Sequence, residues 1–115
     1  MVTFDLTEEA KNLLKLMYAL YRCRREEGKG RTAANYFEST EHLQREYLPQ
    51  MEYDDVYDLC RELALAGCIN SIRADGAMLH ISLSYDALVY GEQTFKRNTQ
   101  ELLEWVARLR GCLPC

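Results

Sequence analysis

The chain has 115 residues, enough for one hydrophobic core and too few for two. Hydrophobic residues are 48% and charged residues 28%, which excludes a disordered polymer, and apolar runs of only a few residues exclude a bilayer-spanning segment. Fourteen Lys and Arg against 18 Asp and Glu leave a net charge of −4, so the chain does not coat nucleic acid or an anionic membrane through its bulk field.

The opening Met1-Val2-Thr3-Phe4-Asp5 lacks the basic-then-apolar order of a secretory leader, so a cytoplasmic location is expected. A first helix starts after Thr7, a natural N-cap, with Glu8 and Glu9 in the first turn where the helix dipole favours acids. Ala10, Leu13, Leu14, Met17, Tyr18 and Tyr21 repeat at helical spacing, and Gly28 can end the helix behind Arg22, Arg24 and Arg25. Residues 28–38 read as a loop with two glycines and two bases. It is not a phosphate-cradling P-loop, because G-x-x-x-x-G-K-[ST] is absent and no strand precedes it.

Ser39 or Thr40 caps a short second helix with Leu43, Tyr47 and Leu48 on its apolar side, closed by Pro49. The third helix is the clearest element. Val56, Leu59, Cys60, Leu63 and Ala64 follow the i, i+3, i+4, i+7, i+8 rule, between a start at Glu52 or Asp54 and a stop at Gly67. Asp75-Gly76 is a type I′ turn signal between two strand-like runs. Counting back from it pairs Ala74 with Ala77, Ile72 with Leu79, Asn70 with Ile81 and Cys68 with Leu83. That set is the expected buried face, leaving Ile69, Ser71, Arg73, Met78, His80 and Ser82 wet. Ser84 caps a last helix over about residues 84–110, broken near Gly91, with a flexible tail at 111–115. Phe95, Leu102, Trp105, Val106 and Leu109 form its stripe.

Helix, loop, helix, helix, β-hairpin, helix is the order of a winged helix, so the expected fold is α+β and mainly helical, one domain over residues 1–115. Leu63-Ala64-Leu65-Ala66-Gly67-Cys68-Ile69 resembles the usual passage from the third helix into the first wing strand. Leu83-Ser84-Tyr85-Asp86-Ala87-Leu88-Val89-Tyr90 resembles the L-T-x-x-G-x-x-Y that ends the wing in many bacterial winged helices, with Ser84 for the threonine and Ala87 for the glycine. It is particularly similar to the small bacterial YjcQ-like group. The resemblance covers roughly residues 7–110; loop 28–38 and the C-terminal C-x-x-C depart from it. It implies, by analogy of fold, double-stranded DNA binding and transcriptional regulation.

The charge map divides that expectation. In a winged helix the third helix enters the major groove, where Arg, Lys, Asn and Gln read base edges. Residues 52–66 carry five acids against Arg61 alone, a net of −4 equal to that of the whole chain. Residues 22–31 carry five bases against two acids, a net of +3. If DNA is bound, Lys29, Arg31 and Arg73 would hold phosphate, and Tyr57 and Arg61 would face bases. Those bases also read as a solvated helix end and loop. The alternative is a protein-interaction module in which Asp54, Tyr57, Asp58 and Glu62 meet a basic partner. A homodimer is a further expectation, with Leu102, Trp105, Val106 and Leu109 as the seam, although the same stripe also suits folding back onto helix one.

Chemistry is sparse. No recognisable nucleophile–base motif is present, so the chain reads as a non-enzyme without a cofactor. His42 and His80 each lack a second histidine three or four residues away, as a metal pair would have, and read as surface residues. Five cysteines, an odd count, argue against a disulfide framework. Cys60 and Cys68 read as small core hydrophobes. Cys112 and Cys115 have no second C-x-x-C to complete a zinc site and read as a tail, with redox chemistry the remote alternative.

Overall fold

Thr7 begins the first helix as its side chain dictates: the hydroxyl accepts the Ala10 N–H at 3.3 Å, and α1 runs over Glu8–Glu26. The computed structural model describes residues 3–95. After α1 come α2 (Arg31–Ala34), α3 (Thr40–Tyr47), α4 (Tyr53–Leu65), β1 (Ile69–Ala74), β2 (Ala77–Leu83) and α5 (Tyr85–Thr94). The described chain is α+β and 58% helical, with one antiparallel hairpin. Among the described residues no helix is long and apolar enough to cross a membrane.

α1 is the central element. Leu13, Leu14, Leu16, Met17, Tyr18 and Leu20 are all buried, more of its circumference than a single apolar stripe would cover. The other helices and the hairpin supply Phe37, Leu43, Val56, Cys60, Leu63, Met78 and Ile81 to the same core. Ser39 caps α3 by accepting the His42 N–H at 3.1 Å, and Gly67 ends α4 at φ 84°, a backbone conformation that favours glycine. Ser84 accepts the Ala87 N–H at 3.1 Å and donates to the Gly67 carbonyl at 2.7 Å, joining the start of α5 to the end of α4.

The segment expected to be all loop contains the four-residue α2 and a piece of sheet edge. Phe37 N–H donates to Ile81 O at 2.9 Å, and Ile81 N–H donates to Glu38 O at 3.0 Å. Two residues earlier the Asn35 side chain does the same work: it accepts the Leu83 N–H at 2.8 Å and donates to the Leu83 carbonyl at 3.0 Å. The outer edge of β2 is therefore satisfied without a full third strand.

The hairpin corrects the expected register. Asp75 and Gly76 both have positive φ, as a type I′ turn requires, and Ala74↔Ala77 and Ile72↔Leu79 pair as expected. Beyond them β2 carries one extra residue, so that Asn70 faces Ser82 and Ile69 faces Leu83. His80, at φ 53°, sits in this irregularity. One added residue reverses which side of a strand points inward. Ile81 and Leu83 are buried as expected, but nearer the turn Met78 is buried while Ile72 is 59% exposed. Ile69, expected to be wet, is buried, and Asn70 is exposed.

The turn is tied to the helices by a directed chain of hydrogen bonds. Met78 N–H donates to Thr40 Oγ1 at 3.2 Å, Thr40 and Tyr53 hydroxyls meet at 2.7 Å, and Tyr53 O–H donates to the Gly76 carbonyl at 2.9 Å. Because the Gly76 carbonyl can only accept, Tyr53 gives its proton there and takes the proton of Thr40.

α5 runs through Gly91 and ends at Thr94, close to the expected break, and the glycine is buried where a Cβ would land on the Tyr18 ring. The rest of the proposed helix and the tail 111–115 lie outside the described residues. Gly91→Ala raises helix propensity by ~1 kcal/mol but forces the Tyr18 ring to move, an overpacking cost of about 1–3 kcal/mol. A lower urea midpoint than wild type is the expected result; a higher one would mean the two groups do not meet.

Candidate functional site

α4 buries Val56, Cys60 and Leu63 and turns Asp54, Asp55, Asp58, Arg61 and Leu65 to solvent. The apolar stripe leaves acids on the remaining face simply because the sequence puts them there. Asp54, Asp55 and Asp58 make no ion pair among the described residues, and neither does Arg61. Leu65, at the end of the face, is 76% exposed. A shallow groove of about 600 Å³ runs beside it, lined by Asp5, Asp58, Arg61, Glu62, Leu65 and Ala66. Three carboxylates against one guanidinium give this groove a negative field.

Glu62 differs from the other acids. Its carboxylate accepts the Thr7 N–H at 2.7 Å and the Thr7 hydroxyl at 2.9 Å. A negative charge at the start of α1 suits the helix dipole there. Glu62 thus fixes α1 to α4 and lines the groove with a carboxylate already engaged. Tyr57 is half-buried beside Tyr53, one turn earlier on the same helix, with ring centroids 6.4 Å apart.

The basic residues do not form one rim. Lys29, Arg31 and Arg73 are all exposed. Arg73 stands one residue from the turn, paired across the hairpin with Met78 and on the same face as that buried side chain. Arg31 instead lines a recess with Ser82, at the opposite end of β2. It shares a larger cleft with Arg22 and Arg25. Arg24, expected beside them on a solvated helix end, is only 8% exposed: it donates to Ala34 O at 3.2 Å, Tyr36 O at 2.8 Å and Tyr47 Oη at 3.1 Å. Leu102, Trp105, Val106 and Leu109, the expected dimer seam, lie outside the described residues.

His42 lies 3.4 Å from the Glu38 carboxylate, and His80 Nδ1 lies 3.2 Å from the Tyr36 hydroxyl. Among the described residues no three His, Cys, Asp or Glu side chains gather as metal ligands would. Cys60 and Cys68 are free and buried. Cys23 is disulfide-bonded, although the odd cysteine count argues against a disulfide framework; Cys112 and Cys115 lie outside the described residues. No protein-family model, curated protein or solved structure matches this chain.

Neither free thiol is poised to react. Burial pushes Cys60 up to about 12, and burial with the nearby Glu62 charge pushes Cys68 up to about 11. Only the thiolate is nucleophilic, so iodoacetamide at pH 8 should leave both unmodified in the native protein and alkylate both in denaturant, as read by mass spectrometry. Alkylation of the native protein at the rate of an exposed thiol would contradict this. In the unfolded chain both thiols ionise at their ordinary value, so the stability they contribute is present below that pH and lost as pH climbs toward 11–12.

Proposed function

We propose that the chain is a winged-helix module that binds a basic protein partner through the outward face of α4. The observation that carries this reading is the group of unpaired acids on that face, Asp54, Asp55 and Asp58, set beside an exposed Leu65. An interface of this kind places an apolar anchor within a polar rim and uses unlike charge for partner choice and on-rate. The groove at Arg61 offers room for a partner side chain between Asp58 and Leu65. Support for the winged-helix assignment is the element order: α1, α3 and α4 as the three helices, β1 and β2 as the wing, and residues 37–38 paired to β2.

DNA binding with a regulatory role is the second reading, favoured by the exposure of Lys29 and Arg73 on the loop and the hairpin. It has few cations to work with. Phosphate contacts supply most of the affinity, and acids on the groove-facing helix oppose them.

Two experiments separate the readings. Fluorescence anisotropy of a labelled genomic DNA pool should show no saturable binding by the wild type at low salt; binding that falls steeply with salt would favour the DNA reading and overturn the first. A photo-crosslinking residue in place of Leu65 should capture a discrete partner. The Asp54→Lys/Asp58→Lys variant should weaken that capture by about 100-fold, since like charges across an interface cost several kcal/mol. Undiminished capture would contradict the role of the acids.

A further inference from the structure

We propose that the cleft between α1, α2 and α5 binds a small phosphorylated ligand, its phosphate held by Arg22, Arg25 and Arg31. The cleft measures about 360 Å³, within the range of small-molecule sites. Arg22 and Arg25 of α1 and Arg31 of α2 line it, against the single lining carboxylate of Glu92, and Arg25 also donates to the Lys29 carbonyl at 3.1 Å. None of the three arginines is ion-paired among the described residues. Three like charges against one carboxylate leave a net positive cleft, and a bound oxyanion offsets that repulsion while using the planar donor forks of arginine.

A second observation points the same way. Among the described residues, two buried polar atoms have no hydrogen-bond partner, the Tyr18 hydroxyl and the Arg22 Nε, and both side chains line this cleft. Buried polar groups are normally satisfied, so two orphans in one place imply an acceptor outside the described residues. Arg22 Nε can only donate. Tyr18, a side chain only 1% exposed, carries a protonated phenol able to donate, and burial pushes it further up, to about 12. An acceptor with several oxygens satisfies both, and phosphate is such a group.

The walls also describe the remainder of the ligand. Tyr85, 74% exposed, offers a flat face at the rim. A neighbouring recess of about 220 Å³ shares Tyr21, Arg31 and Leu88 with the cleft and adds Thr32 and Ser82 hydroxyls. A phosphate among the arginines with a planar, hydroxyl-bearing body in the recess is the chemistry of a mononucleotide; inorganic pyrophosphate is the other source of the same group. The site lies apart from the outward face of α4, so its fate is independent of the partner reading.

Calorimetric titration of the full chain with adenosine monophosphate, pyrophosphate and adenosine tests it. At least one of the two phosphates should bind while adenosine does not, and the tighter of the two identifies the source. Arg31→Gln, at an exposed position that leaves the core intact, should weaken binding by about tenfold, the loss of one charge-assisted contact. Absence of binding by both phosphates at millimolar concentration, or equal binding by wild type and Arg31→Gln, would overturn the proposal. So would displacement of the bound phosphate compound by a short DNA duplex, which would assign the arginines to a nucleic-acid surface.

Discussion

A buried cation organises this fold. Arg24 comes off the last turn of α1 and, instead of reaching water, donates to the carbonyls of Ala34 and Tyr36 and to the Tyr47 hydroxyl, with its guanidinium 5.0 Å from the Phe37 ring centroid. No carboxylate among the described residues pairs with it. A buried charge is expensive unless its donors are satisfied, and a weakly hydrated guanidinium over an aromatic face is the cheapest form of that burden. The consequence is reach. One side chain fixes the path of residues 34–37, and that path lets Asn35, Phe37 and Glu38 complete the edge of β2. The completed hairpin then meets α3 and α4 through Thr40 and Tyr53.

The arrangement sorts the charges of the chain. Arg24 is consumed by structure, Arg22, Arg25 and Arg31 line one cleft, and Arg73 stands by itself near the hairpin turn. The acids are sorted too: Glu62 is spent on the start of α1, whereas Asp54, Asp55 and Asp58 stay unpaired in solvent. A fold whose α4 turns three unpaired acids to solvent is poorly suited to lie along a polyanion with α4 leading. It is well suited to a basic partner on one side and a small anion on the other.

Local signals were the legible part of the sequence. Thr7, Ser39 and Ser84 are caps, Gly67 is a stop, Asp75-Gly76 is the turn, and each is used as its chemistry dictates. The acidic face of α4 follows from the same reasoning, since fixing the apolar stripe fixes what is left over. What escaped were the nonlocal and the exceptional. Nothing near His80 announces a left-handed residue, yet its placement inverts the half of the hairpin that holds Met78 and Ile72. Glu62 and Thr7 are 55 positions apart, and no spacing rule joins them. Arg22, Arg24 and Arg25 look alike in sequence; their different fates depend on which side of α1 meets residues 34–36 and which meets α5. The burial of Gly91 escaped as well, since that glycine answers to a tyrosine on another helix.

The claim that Arg24 holds the hairpin edge is open to direct measurement by amide hydrogen exchange. Arg24→Met keeps most of the stem and removes the donors, leaving the Ala34 and Tyr36 carbonyls without theirs. Protection at the Phe37, Ile81 and Leu83 amides should then fall by about 10- to 100-fold more than at Cys60 and Leu63 in α4, in line with ~1–3 kcal/mol for each buried group left unsatisfied. Equal changes at both sets of amides, or no change at either, would contradict the account.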